Sequence, residues 1–516
     1  MSVRRVQSRS SRGGVDVVKE SSRVLVVASL MLAMFLAAIE ATIVATAMPT
    51  IIGSLGGFRL YSWVFSAFLL TQGAFIPIFG RLSDLYGRKP VFTVATLIFL
   101  LGAFLSGHAR SMEQLIIFRA VQGLGAAGVQ PITQTIIGDI FTLEERARVQ
   151  GWLSSVWGIS SVAGPTLGGL IVDHWSWPWI FYINIPLGLI AIAGLWLFLR
   201  ERPAAQRHSI DYAGSALLVT AVTALLVFVI EGGSGWPWLS AGSLGFLGLA
   251  AGTGAVFLWW ENRVAEPLLP PGLFANRVIA FCDLAVVFSG ALTLGISSFT
   301  PTLVQGVMGT SATVAGLALG AMSLGWPLAS TFSGRLMLRI GYRSTAIAGS
   351  FFTIISAGVM LSLPYVPSVA TAALGSFLMG MGMGLTSTTF IVAVQGAVSW
   401  EQRGVATSSN AFMRMLGSTV GVAVFGNILN NGLVRQLASL PDTVKSAVGT
   451  NPDVARMLLD PVTRHSLPAW VLQPLRDALF VSVHGVYVAL AVTAVAGALV
   501  VRLIPRGLPD GLQARR

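Results

Sequence analysis

Two opposite charges stand inside stretches otherwise apolar enough to cross a bilayer. Glu40 interrupts the run Met31–Met48, and Arg119 lies in the run that begins near Glu113. By helical rise Glu40 is roughly 24 Å from Val24 and roughly 13 Å from Pro49, while Arg119 is about 9 Å from Glu113. The two therefore sit at comparable depth and meet if the first and fourth spans are neighbours. An ionisable group at such depth is expensive and marks a functional site by default. Burial disfavours a charged carboxylate and a nearby cation favours it, so a carboxylate held between the two effects can bind and release a proton. A fixed structural ion pair is the competing reading, and the residues alone leave both open.

The fourth span carries further polar residues, Gln122, Gln130 and Gln134. Gln122 and Gln134, with Phe68 and Gln72 of the second span, lie at depths suited to lining a substrate path, and each is equally explained as packing. Two other intramembrane charges stand out. Asp283 is close to Arg277 and to the end of its span, which predicts a pair snorkelled to the surface. Arg414 lies about 15 Å into its span from Gly404 and requires an acid, carbonyls or water.

A charged hinge separates the second and third spans: Gly80-Arg-Leu-Ser-Asp-Leu-Tyr-Gly-Arg-Lys89. Gly80 and Gly87 permit close backbone approach and a tight turn. Asp84 is placed to pair with Arg88 or to face a helix N-terminus, where negative charge is favoured. Arg81 and Lys89 complete the basic character, and a plain solvated loop is the alternative. A degraded copy, Gly334-Arg-Leu-Met-Leu-Arg-Ile-Gly-Tyr-Arg343, follows 254 residues later, with Leu338 in place of the acid. Glu144-Glu145-Arg146 and Glu401-Gln402-Arg403 repeat at an offset of 257, with Gly164 and Gly421 in register. The chain is therefore read as a duplicated membrane protein whose substrate path lies between its halves.

The elements that must hold these residues follow from composition. The chain has 516 residues, 54% of them hydrophobic and 10% charged, with mean hydropathy +0.76; soluble domains carry roughly 25% charged residues. On a ruler of about 20 residues per span the sequence predicts fourteen helices, the last two near 406–430 and 479–503. They divide into a basic tail (1–23), a six-helix half (24–199), a two-helix insert with flanking loops (200–277, spans 212–231 and 240–260), a second half (278–503) with an outer loop at 431–478, and a tail (504–516). A short amphipathic helix is expected at Val454–Leu459. Of the Lys and Arg residues in short loops, only Arg59 and Arg110 fall on one side, which sets both termini in the cytoplasm. No small-residue cleavage site follows the first apolar run, which is read as a retained helix.

The net charge of +12 is scattered over connectors and makes no nucleic-acid face. A single Cys282 and five dispersed histidines give no metal-ligand spacing, and no phosphate-cradling glycine loop is present, so neither metal nor cofactor is expected. No catalytic arrangement supports a membrane enzyme. The stretch Gly158–Gly169, with Gly164, Pro165, Gly168 and Gly169, packs small residues along the fifth span.

Taken together, these residues resemble the major facilitator superfamily, in its fourteen-helix drug:proton antiporter branch. Gly80–Lys89 resembles the family's cytoplasmic hinge between the second and third helices. Leu115–Ala127, with Arg119, Gln122 and Gly123, resembles its fourth-helix motif, and Gly158–Gly169 its fifth-helix antiporter motif. Glu40–Pro49 and Trp175–Gly188 resemble signatures of the branch, which carries Asp where this chain has the longer Glu40. The resemblance implies an all-α fold of six, two and six helices and a monomer in the cell membrane. It implies proton-coupled export by alternating access, with Glu40 as proton site, Arg119 tuning it, and Asp84 and Arg88 stabilising the outward-facing state. The few acids in the second half point to neutral, zwitterionic or monocationic amphiphiles. Export of an endogenous lipid or cell-envelope precursor is the second reading, motivated by the outer loop; a receptor is a third.

Overall fold

The computed structural model describes residues 20–55, 61–201, 211–232, 236–264, 267–310, 312–363, 368–448 and 468–506. The helices are α1 (Glu20–Leu55), α2 (Tyr61–Tyr86), α3 (Arg88–Gly107), α4 (Met112–Ile140), α5 (Leu143–His174), α6 (Trp179–Tyr182), α7 (Asn184–Phe198), α8 (Tyr212–Glu231) and α9 (Ala241–Glu261). They continue as α10 (Pro271–Ala275), α11 (Arg277–Thr302), α12 (Ala312–Ser362), α13 (Val369–Gly396), α14 (Arg403–Ala438), α15 (Asp442–Val448) and α16 (Ala469–Val501). Among the described residues no strand forms, and 12 helical runs are long and apolar enough to cross a membrane. The molecule is an all-helical, multi-pass membrane protein.

Helix is the form that satisfies every backbone group within its own segment, as an apolar surround demands. The starts of several helices are set by polar caps: Ser111 accepts from the Gln114 amide, Asp211 from Gly214, Ser240 from Ser243 and Asn276 from Val278. Hydroxyls inside the spans bond back to carbonyls one turn earlier, as Thr133 does to Val129 and Thr389 to Leu385. Interfaces are closed by small residues. A methyl group at Gly123 would collide with the Phe68 carbonyl and the Thr71 hydroxyl, so α2 and α4 touch backbone to backbone.

The duplication has a backbone signature. Gly87, between α2 and α3, has φ 93, and Gly341, which divides α12, has φ 81; the two are 254 residues apart. Only glycine adopts that conformation without strain. α1–α7 share one set of apolar cores and α11–α16 another. Between them, Leu218, Val222 and Leu226 of α8 pack on Leu70, Ala74 and Ile78 of α2.

Two expectations change. α14 runs to Ala438 and α16 starts at Ala469, so much of the expected loop 431–478 is helix. Asn427, Asn431 and Arg435 end the apolar pattern of α14, but its hydrogen bonding continues past them. Leu433, Val444, Val471 and Leu475 join a common core, which seats α15 against this extension. The expected helix Val454–Leu459, residues 1–19 and residues 507–516 lie outside the described residues.

Candidate functional site

Glu40 is wholly buried on α1. Its Oε1 accepts from Arg119 Nη1 on α4, and its Oε2 accepts from Asn184 Nδ2 at 2.9 Å. Arg119 is bound on every side: Nη1 also donates to Gln122 Oε1 at 2.8 Å, Nε to the Val64 carbonyl at 3.3 Å, and the guanidinium lies 4.4 Å from the Phe68 ring centroid. The spacing of Arg119 and Gln122, three residues on α4, puts both on one face. Asn184 opens α7 and also donates to Ile180 and Phe181. Two amide atoms in this cluster, Gln122 Nε2 and Asn184 Oδ1, are buried without a partner. A carboxylate needs donors and a carboxylic acid needs an acceptor. Asn184 can supply either by turning its amide, because its two carbonyl contacts, at 3.4 and 3.2 Å, are longer than its bond to Glu40.

A second cluster joins the two halves at the end where α2 meets α3. Asp84 Oδ1 accepts from the Gly404 amide at 2.9 Å and Oδ2 from the Val405 amide at 2.8 Å. These are orphan donors of the α14 N-terminus, where a carboxylate is favoured by the helix dipole. α14 has no cap of its own, since Gln402 makes no side-chain bond there. α5, its repeat counterpart, is capped internally by Thr142 and Glu145. Arg88 ties the cluster together: it pairs with Asp84 and with Asp139 of α4, each at 3.0 Å, donates to the Trp400 carbonyl at 3.0 Å, and stacks 4.2 Å from the Trp400 ring. Arg403 reaches back to Asp139 at 3.1 Å and to the Gly138 carbonyl. Gln395 donates to the Gln134 carbonyl at 3.0 Å. Gly80 abuts Ser408 so closely that no side chain fits between them.

Residues 30–422 match the sequence profile of the Major Facilitator Superfamily. The chain belongs to the major facilitator superfamily. It is 35% identical to the Multidrug transporter protein MdtP of Bacillus subtilis over 491 residues, covering 91% of this chain and 90% of that one. It is 33% identical to Multidrug resistance protein 3 of the same organism over 493 residues, covering 94% and 95%. The fold is similar to the crystal structure of the human organic anion transporter MFSD10 (TETRAN), with TM-score 0.60 and 15% identity over 92% of this chain and 99% of that one. As a superfamily member the chain is a transporter and not an enzyme, and its relatives are multidrug transporters.

Within this major facilitator frame the remaining residues find their places. Lys89 donates to the Trp196 and Leu199 carbonyls, and Glu201 accepts the Arg88 and Lys89 amides, so these groups anchor α3 to α7 rather than bridge the halves. Arg81 is half-buried and donates no hydrogen bond to this cluster among the described residues. Gly158 packs α5 against Ser323 of α12, Gly164 and Gly168 are buried, and the surroundings of Pro165 and Gly169 lie outside the description.

Three assignments are corrected. Phe68 and Gln122 do not face a path: they are 7% and 0% exposed and belong to the Arg119 cluster. Gln134 accepts from Gln395 through its backbone carbonyl, and its side chain, like that of Gln72, is half-buried. Asp283 is no surface pair. It is 1% exposed and accepts from Ser409 at 2.7 Å and Asn410 at 2.8 Å, both on α14. Asn184, Asp139, Trp400 and Gln395 were not singled out as site residues from sequence; Asp139 falls at the end of an apolar span, where an acid reads as an ordinary boundary residue.

Proposed function

We propose that this chain is a proton-coupled antiporter that exports hydrophobic or amphiphilic small molecules by alternating access. The observation that carries the reading is Glu40: a carboxyl group wholly buried in a span, held by one cation and one neutral amide. A purely structural ion pair needs no partner able to serve both protonation states; Asn184 is such a partner. The names of the relatives, both multidrug proteins, support efflux of small molecules.

In this reading the latch end is cytoplasmic, both termini lie there, and the protein acts as a monomer in the cell membrane. The chain crosses fourteen times: the run Val314–Ser362 counts twice because Gly341 divides it, and α5, 32 residues long, adds another crossing. The two six-helix halves, 24–199 and 278–503, flank the insert at 200–277. The conformation is the outward-facing one, with the halves closed from Asp84 and Gly404 inward to Gly158 and Ser323. Asp84 holds α14 of the opposite half only while that face is shut, so the latch acts as a gate. The repeat explains why one half holds the latch: Asp84, Arg88 and Asp139 align with Leu338, Tyr342 and Gly396.

The test is pH-gradient-driven efflux in everted vesicles from an efflux-deficient host, together with a drug-susceptibility panel; no pH-driven flux of any apolar compound overturns the proposal. The bond from Asn184 is tested separately by a double-mutant cycle. Asn184→Leu removes one hydrogen bond to a charged group, worth about 1.5–3 kcal/mol, and is expected to lower the unfolding midpoint in detergent. Combined with Glu40→Gln the losses should be less than additive; strict additivity would show that the two side chains act independently.

A second reading, export of a lipid or envelope precursor, draws on the outer extension. At 36 residues α14 is about 54 Å long against a hydrocarbon core of about 30 Å, and with α15 and α16 it builds a platform at the outer end. Deleting residues 442–467 should impair lipid release and spare dye efflux if the platform docks an acceptor. Equal loss of both assigns it to folding.

A further inference from the structure

Arg414 is a cation in the middle of α14 that the sites above do not use. It lies eleven residues beyond Arg403, the first residue of the helix, or about 16 Å by helical rise. That is near the centre of a hydrocarbon core of about 30 Å and too deep for the side chain to snorkel to either interface. Its surroundings contrast with those of the intramembrane charges described above. Arg119 has Glu40, Arg88 has Asp84 and Asp139, and Asp283 has Ser409 and Asn410. Among the described residues the Arg414 side chain has neither a carboxylate partner nor a hydrogen-bond acceptor.

Asp283 is not its counter-ion among the described residues. Asp283 sits opposite Asn410, one turn before Arg414 on the same helix face, and its oxygens accept from Ser409 and Asn410 instead. The Arg414 backbone is pressed onto Gly290 of α11, which fixes the side chain's origin against the helix that carries Asp283. The side chain is half-buried, as are its neighbours Phe412, Met413, Met415 and Leu416. Met415 contacts Gly73 of α2, so this stretch of α14 lies along the junction of the two halves. A guanidinium presents planar donors suited to a carboxylate or phosphate, and methionine is the side chain that adapts to varied apolar shapes. An unneutralised intramembrane charge is tolerated where it faces a water-filled cavity, and such charges mark substrate paths.

We propose that Arg414 anchors an anionic headgroup of the transported molecule, with Phe412 and Met415, on the side of α14 that meets the first half, receiving its apolar body. The substrate class narrows to acid-bearing or zwitterionic amphiphiles. The Glu40–Arg119 pair stays internal and leaves the substrate's charge to Arg414. This inference rests on the transport reading above, but its test does not need a proton gradient.

The experiment measures equilibrium binding to the purified full chain in detergent, with dansyl-undecanoate, its methyl ester, and the matching trimethylammonium compound. The expected order is carboxylate, then ester, then ammonium, with the carboxylate about tenfold tighter than the ester, equivalent to about 1.4 kcal/mol. Arg414→Gln should abolish the preference, and Arg414→Lys should keep part of it, since the charge remains and the fork is lost. Wild-type protein that binds ester and carboxylate equally, or binds no carboxylate probe, overturns the proposal without reference to any variant. So does an Arg414→Gln protein that keeps the wild-type preference. Binding is read at equilibrium with no gradient imposed, so loss of proton coupling and loss of the anion preference are scored separately, which keeps the two readings apart. Competition by dihexanoyl phosphatidylglycerol, set against the phosphatidylcholine of equal chain length, distinguishes a phospholipid headgroup from a free carboxylate; displacement by the first alone assigns the same anion site to lipid.

Discussion

Glu40→Gln is expected to abolish efflux driven by a pH gradient while the protein still folds and inserts. Glutamine keeps the shape and one acceptor oxygen but takes up no proton. In proteoliposomes with the gradient imposed, wild-type protein should move substrate against its concentration gradient, and the variant should only equilibrate it. The difference is large because the drive is lost entirely. One proton exchanged at 100 mV carries about 2.3 kcal/mol, enough for a ratio of roughly tenfold or more.

Folding should survive because of how Arg119 is held. With Glu40 neutral the guanidinium still donates to Gln122 Oε1 and the Val64 carbonyl and still lies over Phe68. In the proposed cycle the cluster passes through such a state each time Glu40 is protonated, and these bonds are the ones that would hold it. Glu40→Ala differs: it removes the acceptor as well and leaves a buried cation facing an empty volume, at a cost of about 3–5 kcal/mol. That variant should therefore lose expression as well as transport. Retained pH-driven accumulation by well-folded Glu40→Gln protein would sink the assignment of Glu40 as proton site.

Glu40 and Arg119 were legible in the sequence because a charge inside an apolar run has few innocent explanations, and Gly87 and Gly341 because a repeated glycine marks a repeated turn. Asn184 was not, although it donates to Glu40 at 2.9 Å. A neutral amide at the start of a helix reads as an ordinary cap, and its partner lies 144 residues away. Asp283 was misread for the same reason. Arg277 is close in sequence, while the groups that hold it, Ser409 and Asn410, are neutral and 126 and 127 residues away. Hydropathy locates charges and spans, whereas pairing between distant helices is decided by packing. The helical extension of α14 escaped because the apolar pattern stops where the lipid does, not where the helix does.

Asp84→Asn should open the closed end of the molecule. Asp84 is the only side-chain cap on the α14 N-terminus among the described residues, and it comes from the other half. The substitution leaves one acceptor oxygen, places an amide against a backbone N–H, and deprives Arg88 of one of its two carboxylates. Losing one charge-assisted bond and weakening the other removes on the order of 3 kcal/mol from the shut state, which shifts the equilibrium about a hundredfold. The bonds to Gly404 and Val405 do not persist once the halves separate, whereas the Asp84–Arg88 pair lies within one half and can, so the substitution weakens the shut state more than the open one. Spin labels at Arg148 of α5 and Arg502 beyond α16, both exposed, with Cys282 replaced by alanine, report the distance between halves by double electron–electron resonance. The variant should populate longer distances than the parent, and Arg403→Ala, which removes the outer tie to Asp139, should do so to a smaller extent. The mirror-image position is the control: Leu338→Asn changes the repeat partner of Asp84, where no latch exists, and should leave the distribution as it is. If Asp84→Asn leaves the distances unchanged, the cap on α14 is structural, and the gate must be sought in the Arg88–Trp400 contact instead.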